Sequence, residues 1–218
     1  MRGIQVFICA AGSQDRWNEF PCTYKIKQLI PIHGKPLIQR TIEQVKLMTG
    51  ISPVVLCHNA DIQDACRDSL YIKEPFIVST VLSSLKYCME KRIIFLLGDV
   101  YYSHEALSKI FKCEKYFALL GSDYRGEIYA LSFVTGIKKR LKQKLEQCIL
   151  EAQSDVVAYN KGKLWSLYRF WTGKPYIDMN YDGNVFIDVH DEQTTDFDIP
   201  QQYYDYLKKH KCQELESY

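Results

Sequence analysis

Ile4-Gln-Val-Phe-Ile-Cys-Ala-Ala-Gly12-Ser13-Gln14-Asp15-Arg16-Trp17, followed after a polar loop by Lys27-Gln-Leu-Ile-Pro-Ile-His-Gly-Lys-Pro-Leu-Ile38, decides how this chain folds. The first part is a short apolar run that ends in small residues, the pattern of a buried strand. Ala10, Ala11 and Gly12 have little or no side chain, so a ligand can approach their backbone closely. Arg16 and Lys27 add fixed positive charge just beyond. Backbone N–H donors and nearby cations after a first strand are what a polyphosphate needs. The same composition also describes a tight strand-to-helix turn with two solvated cations.

The arrangement is more specific than a lone glycine loop. It resembles the opening of the nucleotidyltransferases that share the nucleotide-diphospho-sugar transferase fold. These include sugar-1-phosphate nucleotidyltransferases, phosphocholine and methylerythritol-phosphate cytidylyltransferases, and molybdopterin nucleotidyltransferases. Ala11-Gly12, Arg16, Lys27-Gln28-Leu29 and Gly34-Lys35-Pro36-Leu37-Ile38 stand where that family has Ala-Gly, Arg, Lys and Gly-Lys-Pro-Leu-Ile. Gln14 stands in place of the usual second glycine, and an insertion separates Pro21 from Lys25 and Lys27. The resemblance implies an α/β fold in three layers, α/β/α, with a mostly parallel mixed central sheet. It implies nucleotide contacts from Ala10, Ala11, Gly12, Ser13, Gln14, Arg16 and Lys27. Lys27, rather than Lys25, is expected to face the nucleotide.

Working outward, Ile38, Ile42, Val45 and Met48 repeat at helical spacing. Pro36 is expected at the first helical position, and Gly50 and Pro53 punctuate the end. Val54–Cys57 reads as a buried strand, with Asp61 as N-cap of a helix running to Leu70. Pro75–Val78 reads as a third strand, and Ser79–Leu85 as the start of the next helix. Ile93–Leu97 is an uninterrupted apolar run, the mark of a central parallel strand. Strands alternating with helices argue a parallel sheet with right-handed crossovers. Helices are expected over His104–Phe111 and Ile137–Cys148, and strands over Tyr116–Leu120 and Ile128–Val134. Two hairpins are expected, Val156–Tyr159 with Leu164–Phe170 and Tyr176–Met179 with Val185–Val189. Tyr203–Lys209 reads as a closing helix.

Asp99 follows Gly98 at the end of the expected central strand, where ligands bind in open α/β sheets. A carboxylate there suits Mg²⁺, which takes one or two protein carboxylates and substrate phosphates. Gly98-Asp99 also resembles the family's metal motif, while a turn aspartate gives the same local signal. Thr195-Asp-Phe-Asp-Ile-Pro-Gln-Gln-Tyr203 resembles the family's closing Asp-x-Asp-x-Pro-x-x-Tyr segment. Alternate residues of an extended segment share a face, so Asp196 and Asp198 point the same way. Asp198 is preferred as second metal ligand, with Asp178 and Asp196 as rivals. Ser79-Thr80 stands where the family turns near the nucleoside, and Ser or Thr there also serves as a helix cap. Lys174 could touch an acceptor, though a surface lysine beside a turn is the plainer reading. The resemblance implies transfer of a nucleoside monophosphate from an NTP to a small phosphorylated acceptor, with pyrophosphate release and Mg²⁺ as cofactor. A metal-dependent glycosyltransferase and a catalytically silent nucleotide-binding protein are the alternatives.

The totals agree. Residues 1–218 suffice for one α/β domain with a sizeable core. A net charge of +2 provides no strong field for nucleic acid or an anionic membrane. The lysines and arginine from Lys138 to Lys144 read as a solvated helix face rather than a binding patch. Met1-Arg2-Gly3 enters a strand directly, so no signal peptide or membrane span is expected. None of the eight cysteines forms a Cys-x-x-Cys pair, so reduced thiols in a cytoplasmic protein are expected, and a homo-oligomer is compatible with the sequence.

Overall fold

The computed structural model describes residues 3–12, 14–155, 160–174 and 181–216, with only the backbone for 211–216. In chain order the elements are β1 (Ile4–Cys9), α1 (Asp15–Asn18), β2 (Pro31–Ile32), β3 (Lys35–Pro36), α2 (Leu37–Thr49), β4 (Val54–Cys57), α3 (Ala60–Ala65) and β5 (Ser69–Tyr71). There follow α4 (Ile77–Ser84), β6 (Arg92–Leu97), β7 (Val100–Tyr101), α5 (His104–Lys112), β8 (Phe117–Ser122) and β9 (Glu127–Val134). The last are α6 (Lys138–Gln153), α7 (Leu164–Thr172), β10 (Phe186–Asp188), β11 (Thr195–Asp196) and α8 (Pro200–Glu216).

Seven strands form one sheet in the order β10-β8-β9-β6-β1-β4-β5. All neighbours run parallel except β9, which is antiparallel to both β6 and β8. Alternation along β1 splits the core. Phe7 and Cys9 face a cluster with Val78, Val81, Leu141, Leu145 and Trp165 from α4, α6 and α7. Val6 and Ile8 face the other cluster, with Ile38, Val45, Leu107 and Ile110 from α2 and α5. The result is the expected α/β/α sandwich with a mostly parallel mixed sheet. A third cluster joins Trp17, Ile30, Leu37, Tyr101, Phe197, Tyr203 and Tyr206 beside it.

Several local expectations are corrected. Pro75–Val78 is not a strand: Phe76 caps α4, and its N–H is taken by the Ser79 hydroxyl at 3.2 Å. The third strand is instead Ser69–Tyr71, because α3 stops at Ala65. Asn59, not Asp61, caps α3, accepting from the N–H groups of Asp61 and Ile62. Pro36 is the extended N-cap of α2 rather than its first helical residue (φ −53°, ψ 138°). Gly50 ends α2 in the left-handed conformation, φ 73°, as a helix terminus requires. Leu164–Phe170 is helical, within α7, and Leu164 to Tyr168 are buried without the alternation of a half-buried strand. Val156–Tyr159 and Tyr176–Met179 lie outside the described residues, as does Asp178. On α6, Arg140 lies over the Trp171 ring at 4.4 Å and Lys142 pairs with Glu146 at 3.7 Å. Among the described residues no helix is long and apolar enough to cross a membrane.

β8 and β9 carry the irregularity that matters for the site. Leu120 faces Ala130 but Gly121 faces Ile128, so Tyr129 is the extra residue of a β-bulge. The alternation shifts by one there: Ile128, Leu131 and Phe133 join one core cluster, Tyr129 and Ala130 the other. Tyr102 braces the bulge. Its hydroxyl accepts from Leu97 N–H at 2.9 Å and donates to the Tyr129 carbonyl at 2.7 Å.

Candidate active site

A cavity of about 350 Å³ opens where Cys9 and Leu97 end β1 and β6. Because β9 runs antiparallel, its first residues, Glu127 to Tyr129, reach the same end. Pro75, Phe76 and Ile77 from the start of α4 form one wall, and Lys161 to Trp165 ahead of and within α7 form another. Gly162 lets these walls close: with φ 72° it sits against the Phe76 ring, where a Cβ would come within 2.4 Å.

Two ion pairs cross the mouth. Lys27 opens a single 3₁₀ turn, Lys27–Leu29, and its Nζ lies 2.5 Å from Asp99 Oδ2. Arg16, on α1, lies 2.8 Å from Asp198 Oδ1. Burial pulls the Lys27 amine down, but Asp99, with Asp198 further off, more than offsets this and holds it above its ordinary value. Lys27 is therefore a permanent cation, 8% exposed, while Lys25 is exposed and does not line the cavity.

The carboxylates converge through a small two-stranded ladder. β11 pairs antiparallel with β7, Thr195 opposite Tyr101 and Asp196 opposite Val100, and Phe197 N–H donates to the Asp99 carbonyl at 3.1 Å. Phe197 turns into the third cluster, so its neighbours Asp196 and Asp198 both face the cavity. The Gln202 side chain caps the Asp198 and Ile199 N–H groups, and Tyr203 anchors α8 through a 2.9 Å bond to the Pro31 carbonyl. Oxygen atoms of Glu127, Asp196 and Asp198 lie within 4.8 Å of one another. Asp99 faces the same cavity but is bonded to Lys27 rather than grouped with that trio.

Crowding shows in the acidities. Burial first, then Asp196, Asp198 and Asp99, pushes Glu127 up to about 7. Burial, then Asp198 and Asp99, pushes Asp196 up to about 6. The Cys9 thiol beneath is also raised, by burial and by Asp99, which keeps it an inert thiol.

The sign of the pH effect follows. Between the ordinary carboxylate range and the raised values, the folded chain binds more protons than the unfolded one, so stability falls as pH rises through that window. The melting temperature of the metal-free protein is expected to rise when the pH is lowered from about 8 to about 6. Glu127→Gln should flatten that rise. Calorimetric scans showing a lower melting temperature at the acidic end would contradict the assignment.

The remaining residues singled out in the sequence divide. Gly12 is exposed and lines the cavity. Ala10 and Ala11 are buried, and the Ala10 N–H goes to the Leu56 carbonyl. Gly98 gives its N–H to the Cys9 carbonyl, and a Cβ there would come within 2.8 Å of that oxygen, so its smallness serves strand approach. The Ser79 and Thr80 hydroxyls are spent on the Phe76 carbonyl, as helix-end bonds. Lys174 is exposed and does not line the cavity, and Ser13 lies outside the described residues. Glu127 joins the site without belonging to any of the motifs above. Its one signal in the sequence is a carboxylate heading the mostly apolar run from Ile128 to Val134.

No protein-family model matches the chain, and no curated protein matches it in sequence. Solved structures do. The inositol-1-phosphate CTP transferase from T. maritima superposes with a TM-score of 0.57 at 12% identity, over 94% of this chain and 95% of that one. CTP:phosphocholine cytidylyltransferase from Streptococcus pneumoniae gives 0.58 at 13% identity, over 93% and 96%. CMP:2-keto-3-deoxy-manno-octonic acid synthetase, complexed with CTP, gives 0.58 at 10% identity, over 97% and 99%. The chain has the nucleotide-diphospho-sugar transferase-like fold.

Proposed function

We propose that this chain is a nucleotidyltransferase that moves an NMP from an NTP to a small phosphorylated acceptor and releases pyrophosphate. One observation supports this above the rest: four cationic residues, Arg16, Lys27, Lys161 and Lys163, and four carboxylates line one cavity beyond the strand ends. In this reading residues 1–218 act as one domain, in the cytoplasm, on sugar phosphates, phosphocholine or similar acceptors.

The donor set suits a hard cation. Carboxylates that burial and one another's charge make harder to ionise gain from Mg²⁺, which prefers oxygen ligands. Asp99 and Asp198 would hold it, with Glu127 and Asp196 within reach of the same space. Bound there, Mg²⁺ would neutralise charge on the α-phosphate and on the attacking acceptor oxygen. Arg16 holds the departing pyrophosphate, and Gly12 lets the triphosphate approach the loop. Lys27 stabilises the charge that builds on the α-phosphate during in-line attack. Lys27 and Arg16 are each paired with a carboxylate, so nucleotide binding requires them to exchange Asp99 and Asp198 for phosphate oxygens.

The test is a pyrophosphate-release screen of the four NTPs against phosphorylated sugars, alditols and phosphocholine. Mg²⁺-dependent release with one pair is expected, and EDTA should abolish it. Full activity in EDTA would remove the metal. NTP binding without release would favour the silent nucleotide-binding reading, and turnover of a nucleotide sugar without pyrophosphate would favour a glycosyltransferase.

A further inference from the structure

One side chain ties the two phosphate-facing turns together. Gln14 does not line the cavity. Its Oε1 accepts the backbone N–H of Lys27 at 3.1 Å. Its Nε2 donates to Gln28 Oε1 at 3.0 Å and leans on the Gly12 carbonyl at 3.4 Å. Both amide hydrogens and the amide oxygen are thereby engaged. The Gln14 carbonyl also receives Asn18 N–H at 2.8 Å, where the turn bearing Arg16 begins. Gln28 is 2% exposed, so the clasp closes on a fixed partner.

We propose that Gln14 is a positioning residue that sets the backbone height of Lys27, and through it the place of the ammonium group at the α-phosphate. The inference rests on the nucleotidyltransferase reading above. A lysine side chain is a flexible stem, and it delivers charge to one point only if its root is fixed. The Lys27 root follows a polar loop in which Glu19, Phe20, Pro21, Thr23 and Lys25 are all exposed. Upstream, Trp17 Nε1 holds the Tyr24 carbonyl at 2.7 Å, so the loop keeps a separate anchor if the Gln14 clasp is removed. Gln14 therefore acts on the register of Lys27 rather than on the loop as a whole. A glycine at this position could supply none of these side-chain bonds.

Gln14→Met keeps the length and removes every side-chain hydrogen bond. It is expected to lower kcat/KM for the NTP on the order of tenfold to a hundredfold, with most of the loss in kcat. The melting temperature should stay close to that of the parent protein. In a Lys27→Met background the same change should cost nothing further, because the residue acts through Lys27. Losses that multiply in the double variant, or no loss in Gln14→Met, would overturn the inference. The unsubstituted protein is measured first: no pyrophosphate release with any NTP removes the proposed function, and this role with it. Release from the parent protein combined with independent losses removes this role alone.

Discussion

Lys27→Met is expected to lower kcat/KM for the NTP by on the order of a hundredfold or more, the usual cost of removing a fixed charge from a developing one. Methionine preserves the length of the stem, so the 3₁₀ turn and the Gln14 clasp remain in place. The fold should survive as well. The Asp99 side chain left behind is 24% exposed and can be hydrated, whereas the reverse change would strand a lysine whose side chain is only 10% exposed. Lys25→Ala should leave turnover near that of the parent protein, because Lys25 points to solvent. Steady-state kinetics on the two variants, with circular dichroism to check the fold, decide the matter. Equal losses in both would mean that Lys27 has no special place at the phosphate.

Gly121→Ala should produce the largest loss of stability. A Cβ at Gly121 would sit 1.9 Å from the Glu127 carbonyl oxygen and 2.8 Å from Ile128 Cα. Both are backbone atoms of the paired strand, so no side-chain rotation relieves the overlap. β8 and β9 must move apart at the bulge, with a cost of about 3 kcal/mol or more for overpacking a rigid core. In a chain of this size that lowers the melting temperature by roughly 10 °C. The displacement also moves Glu127, so the pH dependence of stability assigned to its carboxyl should weaken in the same variant. A melting temperature within a degree or two of the parent protein would mean that the bulge is more yielding than the close approach implies.

Much of the fold was legible because the relevant signals are local. The apolar runs of β1, β4 and β6 and the helical stripes of α2, α5 and α6 are one-dimensional patterns, and each formed where it was expected. The errors fell where two periods fit one short run. Pro75–Val78 and Leu164–Phe170 are apolar enough for a strand, but the first leads into α4 and the second folds as α7, and only the neighbours they pack against resolve the ambiguity. Asn59 displaced Asp61 as a cap because both residues can cap a helix and the choice depends on where the chain leaves β4.

By itself, the sequence determined the layered α/β fold, because strand and helix periods are written along the chain, and its resemblance to a family pointed to Lys27, Asp99 and Asp198, which line one cavity. Tertiary structure alone decided who meets whom. It paired Lys27 with Asp99 and, across most of the chain length, Arg16 with Asp198. It brought Glu127 into the carboxylate group through a bulge that depends on the opposite strand's glycine. It also turned the Gln14 amide to Lys27 and Gln28, since a side chain's hydrogen-bonding partner in another segment depends on distances that no local pattern encodes.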